Sequence, residues 1–283
     1  MNKMGFNVLA WSAMVSDELK PKLERLRRLG YDGVEFLIAA PDEAAYRRMG
    51  DFARELGLET TSVFVLGPDV NPIDESPAVR EKGLDKIKWT IDRAHDLGSK
   101  IICGPFHSAF TVFSKQAPTE REYDWSAEIL RKAGDHAAQA GIVLTPEAVN
   151  RFECYLCNTM DQLLYLVNKT AHPNVRAMFD THHANIEEKK LASAIETIAP
   201  VLDHVHISEN DRGTPGSGHV PWDETFSALA RINYKGWLTI EGFTRNDPDF
   251  ANSIGVWREF SKPWDMAENG LKFIREMCRK HGL

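Results

Sequence analysis

One repeated joint constrains this chain more than any other feature. A run with helical spacing ends on Leu-Gly or Ala-Gly and is followed at once by a short apolar run of strand composition. The joints are Leu29-Gly30, Leu56-Gly57, Leu97-Gly98 and Ala140-Gly141. Glycine just past a helical run supplies the left-handed stop. The strand-like runs are 33–37, 59–66, 100–103 and 142–145, with one at 6–10 before the first helix. Later the joints become Pro173, Pro200 and Gly236, and runs at 175–179, 202–207 and 237–240 keep the beat. The pattern closes on a helix over 266–280. Strands alternating regularly with helices pair in parallel through right-handed crossovers. Eight such units in about 250 residues make a single-domain (β/α)₈ TIM barrel over 1–283 the expected fold. A doubly wound sheet is the alternative, but no GxGxxG follows the first strand.

Composition narrows the partners. The chain carries 34 Lys and Arg against 41 Asp and Glu, a net charge of −7, and has no basic block. A phosphate backbone is therefore a poor ligand for it, and no nucleic acid is expected. No stretch approaches 18 apolar residues and the N-terminal residues lack an apolar leader segment, so no membrane partner is expected. Four cysteines in 283 residues are too few for a disulfide framework, which points to a cytoplasmic location. Cys154-x-x-Cys157 has redox or zinc spacing but no second CxxC, and reads as a structural pair on a loop.

Chemistry concentrates at strand ends. Barrel active sites lie at the C-terminal face, where long loops are expected over 67–77, 104–119, 210–221 and 242–263. The last four strands run into Glu147, Asp180, His206 and Glu241. Any one of these alone would be an ordinary helix cap or the partner of a surface lysine. Four on one barrel mouth point to a metal site. Three carboxylates and one imidazole form an oxygen-rich set that suits one divalent cation, Mn²⁺ first, with Mg²⁺ or Co²⁺ as alternatives. The resulting negative shell favours a neutral polyol over an anionic substrate.

The blocks around these residues resemble the ketose 3-epimerase family, which includes the D-tagatose and D-psicose (allulose) 3-epimerases, within the xylose-isomerase-like barrel superfamily. The resemblance rests on Glu147-Ala-Val-Asn150-Arg151-Phe152-Glu153 and on Asp180-Thr-His-His183 with Asn185-Ile-Glu-Glu188. It continues in His204-Val-His206 with Glu209 and Arg212, Pro215-Gly216-x-Gly218, Pro221-Trp222-Asp223, Ile240-Glu241 and Gly255-Val-Trp257-Arg258. It implies a metal-dependent sugar epimerase that inverts C3 of a free ketose by two-glutamate proton transfer through a metal-stabilised enediolate. Glu147, Asp180, His206 and Glu241 would be the ligands, with Glu147 and Glu241 also the acid/base pair. Glu153, His183 and Arg212 would contact substrate, and a homo-oligomer, dimer or tetramer, is expected.

Trp11, Phe106 and Phe243 are the aromatic candidates for the pocket wall. His204 shares the inward face of its strand with His206 and is expected to support Glu147 or Glu241. Arg212 could instead pair at the surface with Asp211 or Glu209. Three loops depart from the family's pattern, at Ser12-Ala-Met-Val15, Gly67-Pro-Asp-Val-Asn-Pro and His107-Ser-Ala-Phe110, so the preferred sugar stays open. Aldose–ketose isomerisation is an alternative, as is a lyase or dehydratase acting on a 3-keto sugar or inosose. An endonuclease IV-like repair enzyme would need more histidines and a basic face.

Overall fold

The computed structural model describes residues 2–39 and 42–283. Eight parallel strands form the ring: β1 (Lys3–Asn7), β2 (Gly33–Leu37), β3 (Glu59–Val63), β4 (Ile101–Gly104), β5 (Val143–Pro146), β6 (Ala177–Asp180), β7 (Leu202–Ile207) and β8 (Trp237–Ile240). Their order is β5-β4-β3-β2-β1-β8-β7-β6. Closure between β5 and β6 rests on one parallel bridge, Leu144 to Val175, with Leu144 N–H donating to Asn174 O at 2.8 Å and Arg176 N–H to Leu144 O at 2.8 Å. The chain is a (β/α)₈ TIM barrel.

The outer shell contains α1 (Lys20–Leu29), α2 (Glu43–Glu55), α3 (Pro77–Leu97), α4 (Glu120–Ala140), α5 (Met160–Thr170), α6 (Thr181–Glu187), α7 (Leu191–Ile198), α8 (Trp222–Arg231), α9 (Pro248–Ser253) and α10 (Pro263–His281). The glycine joints act as the sequence implies: Gly30 closes α1 at φ 96° and Gly98 closes α3 at φ 80°. Helix α5 instead stops on Ala171 at φ 52°, a left-handed position that no glycine marks. The main core lies between ring and helices, where Leu23, Leu26, Ile87, Ile91, Leu130 and Ile274 pack against outward strand residues such as Val34, Phe36 and Leu144.

Strand boundaries differ from expectation at the ends. The run at 6–10 is a strand only to Asn7, because the Asn7 side chain accepts the Leu9 N–H at 2.9 Å and turns 8–10 into a 3-10 turn. The run at 59–66 leaves the sheet after Val63. The long segment 242–263 contains helix α9, capped by Asp247. A smaller cluster, Leu9, Val63, Cys103, Met178 and Phe243 among its members, packs apart from the main core near the strand ends.

Candidate active site

Glu147 and Glu241 each follow the last residue of a strand, β5 and β8, while Asp180 ends β6 and His206 lies within β7. All four are buried, between 0% and 5% exposed. Side chains alternate along a strand, so a residue at the end of each inward face meets its neighbours at the barrel mouth. Ligating atoms of Glu147, Asp180 and His206 lie within 4.8 Å of one another. His206 Nδ1 is 3.5 Å from Asp180 Oδ2 and 3.4 Å from Glu241 Oε2.

The Asp180 carboxylate does two things. Its Oδ1 caps α6 by accepting the N–H groups of His182 (2.6 Å) and His183 (3.1 Å). Its Oδ2 accepts from Ser208 Oγ at 2.9 Å and Arg212 Nη1 at 3.0 Å, on the side facing His206. Arg212 Nη1 also donates to Glu241 Oε2 at 2.8 Å, so this buried guanidinium joins two carboxylates of the centre and is no surface pair with Asp211 or Glu209. Its backbone sits at φ 64°, strained for a side chain of this size. The loop is held there by Glu209, whose carboxylate accepts the N–H groups of Asn210, Gly216 and Val220 and of the Trp222 indole.

Burial and charge set the protonation of these groups. Burial pushes the Glu147 carboxyl well above its ordinary range, and the charges of Asp180 and Glu241 add to that. Burial would raise Asp180 too, but Arg212 and His206 outweigh it and hold the group well below the usual range. His206 is raised despite burial, because Glu241 and Glu35 favour its charged form. Burial, then Arg212, holds His183 well below the usual histidine range. Asn150 donates a backbone N–H to its Nδ1 at 3.1 Å, which puts the single proton of the neutral ring on Nε2, and Arg212 Nη2 lies 2.8 Å from that nitrogen. His183 Nε2 is 3.6 Å from Glu147 Oε1. Half-buried Glu153 accepts from Asn150 Nδ2 at 2.8 Å.

A divalent cation fits this donor set. Glu147 Oε1 and His206 Nδ1 are buried atoms with no hydrogen-bond partner among the described residues. Both face other candidate ligands, and oxygen-rich sets with one imidazole suit hard or borderline cations. Above the centre opens a cavity of about 730 Å³ whose floor includes Glu147, Glu153, His183, Arg212 and Glu241. Its upper wall is mostly apolar, from Leu9, Leu37, Val63, Phe110, Phe243 and Val256.

Of the three aromatics expected at the pocket, Phe243 lines the cavity, with the Arg212 guanidinium 4.9 Å from its ring. Trp11 is instead packed between Phe6 (5.0 Å) and Trp264 (4.7 Å). Phe106 stacks on Phe64 at 4.8 Å and is fully buried. His204 supports neither Glu147 nor Glu241; its Nε2 is 3.0 Å from Glu35 Oε2, deeper in the barrel. Cys154 and Cys157 are buried free thiols, Cys154 Sγ lying 3.1 Å from Ser108 Oγ.

Sequence reasoning missed Glu35 and Asn7. Glu35 is fully buried on β2 and contacts Asn7, Thr61, Cys103, His204 and His206. The available signal was a lone carboxylate inside an apolar strand, a position that leaves it no route to solvent.

The sequence profile of the xylose isomerase-like TIM barrel family matches residues 23–283. The chain belongs to that family. A ketose 3-epimerase of Arthrobacter globiformis is 31% identical, over 97% of this chain and 96% of its own length. A D-psicose 3-epimerase of Agrobacterium fabrum is also 31% identical, over 96% of this chain and 98% of its own. A solved L-ribulose 3-epimerase structure superposes with a TM-score of 0.93 at 29% identity, covering 99% of this chain and 96% of that one.

Proposed function

We propose that this protein is a ketose 3-epimerase that inverts C3 of a free keto-sugar, using one divalent cation, Mn²⁺ first. One observation carries the reading. Two buried glutamates, Glu147 just after β5 and Glu241 just after β8, stand three strands apart around the ring with Asp180 and His206 on the strands between them. Inverting a carbon beside a ketone needs a proton removed from one face and another delivered to the opposite face. A single base returns the proton to the side it left. The names of the relatives support the reaction: they act on ketose, D-psicose and L-ribulose, and position 3 is common to all three.

Glu147, Asp180, His206 and Glu241 would hold the cation, which supplies Lewis-acid stabilisation of negative charge on the substrate's oxygens. The two glutamates are not equivalent. Glu147 carries a partnerless Oε1, whereas Glu241 meets the substrate already bonded to Arg212. Carboxylates poised in this way serve as general acid and base within hydrogen-bond reach of the reacting carbon. Arg212, anchored on Asp180 and Glu241, and neutral His183 are placed to bind substrate hydroxyls. Phe243 and the other apolar residues of the cavity line the space above these groups.

Four buried, unpaired cysteines support a cytoplasmic setting. No described helix is long and apolar enough to cross a membrane. Phe152 and Trp257, each 72% exposed, support a homo-oligomer, dimer or tetramer, that covers them.

The test is incubation of Mn²⁺-loaded protein with a panel of ketopentoses and ketohexoses in D₂O, followed by NMR. Deuterium at C3 of an epimeric ketose is expected. Aldose formation would make the enzyme an isomerase instead. No exchange with any free ketose, with β-elimination from a 3-keto glycoside, would overturn the reading.

A further inference from the structure

Beneath the metal-binding layer lies a second polar layer to which the reaction assigns no role. Its centre is Glu35, whose carboxylate crosses the barrel from β2 to β7 and is fully buried. Oε1 lies 2.7 Å from His206 Nε2 and accepts from Asn7 Nδ2 at 3.0 Å. Oε2 accepts from Thr61 Oγ1 at 2.8 Å and Cys103 Sγ at 3.2 Å, and lies 3.0 Å from His204 Nε2.

Two ligand side chains are fixed from this one oxygen. A carboxylate can only accept, so the contact to Oε1 places the His206 ring proton on Nε2. In the neutral ring, the form that ligates a metal, Nδ1 is then the atom with a free lone pair, and Nδ1 is the atom near Asp180 and Glu241. Asn7 supplies the second arm. Its Oδ1 accepts the Leu9 N–H, which fixes the amide so that Nδ2 donates both to Glu35 Oε1 and to Glu241 Oε1, at 3.1 Å. Glu241 Oε1 is thereby occupied, and its Oε2 is turned toward Arg212 and His206.

We propose that Glu35 is the positioning residue of the metal centre, orienting Glu241 through Asn7 and, by its negative charge at the Nε2–H of His206, both orienting that ring and strengthening Nδ1 as a donor. The inference rests on the proposed metal-dependent reading. Carboxylate–histidine–metal arrays of this kind set the tautomer and basicity of the ligating ring, and losing the outer carboxylate costs 10–100-fold in metal affinity. Glu35, Cys103, His204 and His206 together also have metal-ligand chemistry, with ligating atoms within 4.8 Å of one another. The 2.7 Å Glu35–His206 contact has hydrogen-bond length, and this favours orientation over direct ligation.

The test strips the protein of metal with EDTA and titrates Mn²⁺ alone, reading free Mn²⁺ by electron paramagnetic resonance. Glu35→Gln is the informative variant. Its amide oxygen can still accept from His206 and Asn7, and its nitrogen can face Thr61 Oγ1 and the His204 ring, so only the charge is lost. Wild type is expected to bind one Mn²⁺ per chain. Glu35→Gln is expected to bind one with a Kd 10–100-fold higher, while its metal-free melting temperature stays within about 3 °C of wild type. Thr61→Val, which removes a partner of the other Glu35 oxygen, should leave Kd within about threefold. A Glu35→Gln Kd within twofold of wild type overturns the proposal. So does a stoichiometry of two in wild type falling to one in Glu35→Gln, because Glu35 would then be a ligand itself. Should Glu35→Gln not fold, Glu35→Asp is read by the same Kd criterion, since one methylene fewer keeps the charge but not the span from His206 to Thr61. Wild type that binds no Mn²⁺ overturns the proposed function and this role with it.

Discussion

Arg212 is the only guanidinium in contact with the candidate metal ligands among the described residues, and its removal gives a quantitative test of the site's charge balance. Three buried carboxylates, Glu147, Asp180 and Glu241, share the barrel mouth, and Arg212 Nη1 donates to two of them at 3.0 and 2.8 Å while being 8% exposed. Arg212→Met keeps much of the side-chain volume but leaves these carboxylates without their cation. Breaking a buried ion pair by removing one partner costs about 3–5 kcal/mol, because the other charge stays buried and unpaired. For a chain of 283 residues, an unfolding entropy of about 2.1 cal/mol/K per residue converts that cost to a fall of about 5–8 °C in Tm.

The assay is calorimetry of EDTA-treated protein, repeated with saturating Mn²⁺. A 2+ ion bound among the same carboxylates replaces the lost charge, so the deficit should shrink by at least half when the metal is present. A metal-free Arg212→Met variant within 1 °C of wild type would refute the argument. So would a deficit that Mn²⁺ does not reduce.

Glu147→Gln and Glu241→Gln should each lower kcat by at least about 10³-fold under saturating Mn²⁺, since each removes one proton-transfer partner. Deuterium exchange at C3 reports which half-reaction survives. Burial depresses the pKa of His107 to about 4, from 6.5 when unfolded, while its Nε2 lies 2.8 Å from the Glu147 carbonyl oxygen. The unfolded chain therefore binds a proton that the folded one refuses. Stability from this group is complete above pH 6.5 and is lost as pH falls toward 4, by about 3 kcal/mol. His107→Gln should remove that slope from the urea-unfolding difference between variant and wild type. Gly218→Ala would drive a Cβ against Asn210 Oδ1 and to 2.7 Å from Glu209 Oε1, the carboxylate that holds the Arg212 loop. A loss of about 1–3 kcal/mol is expected in thermal unfolding, with a raised KM in the sugar assay.

Much of the architecture is written locally. Gly30 and Gly98 close their helices because only glycine takes the left-handed stop without strain, and the apolar runs that follow have no alternative to a strand covered on both faces. The ligand candidates were legible for a related reason. In a barrel the ends of all strands meet at one face, so Glu147, Asp180, His206 and Glu241 converge whatever the exact register. The bland reading of Asp180 as a helix cap does not compete with its place among the candidate ligands, because a carboxylate has two oxygens to give.

Other features depend on distances that no local pattern encodes. Glu35 and His206 are 171 residues apart and meet only because the tilt of the strands sets β2 and β7 at one depth. The same geometry assigns His204 to Glu35 rather than to a metal ligand. Trp11, Phe106 and Phe243 look alike as aromatic residues after strands, yet Trp11 and Phe106 are covered by Trp264 and Phe64 while Phe243 faces the cavity. By itself the sequence determined the barrel, the face where its candidate site lies and the chemical character of the candidate ligands, because periodicity and strand-end position are local quantities. Only the tertiary structure decided which side chains share a hydrogen bond across the barrel, and with it which oxygen and which ring nitrogen are left free for an ion.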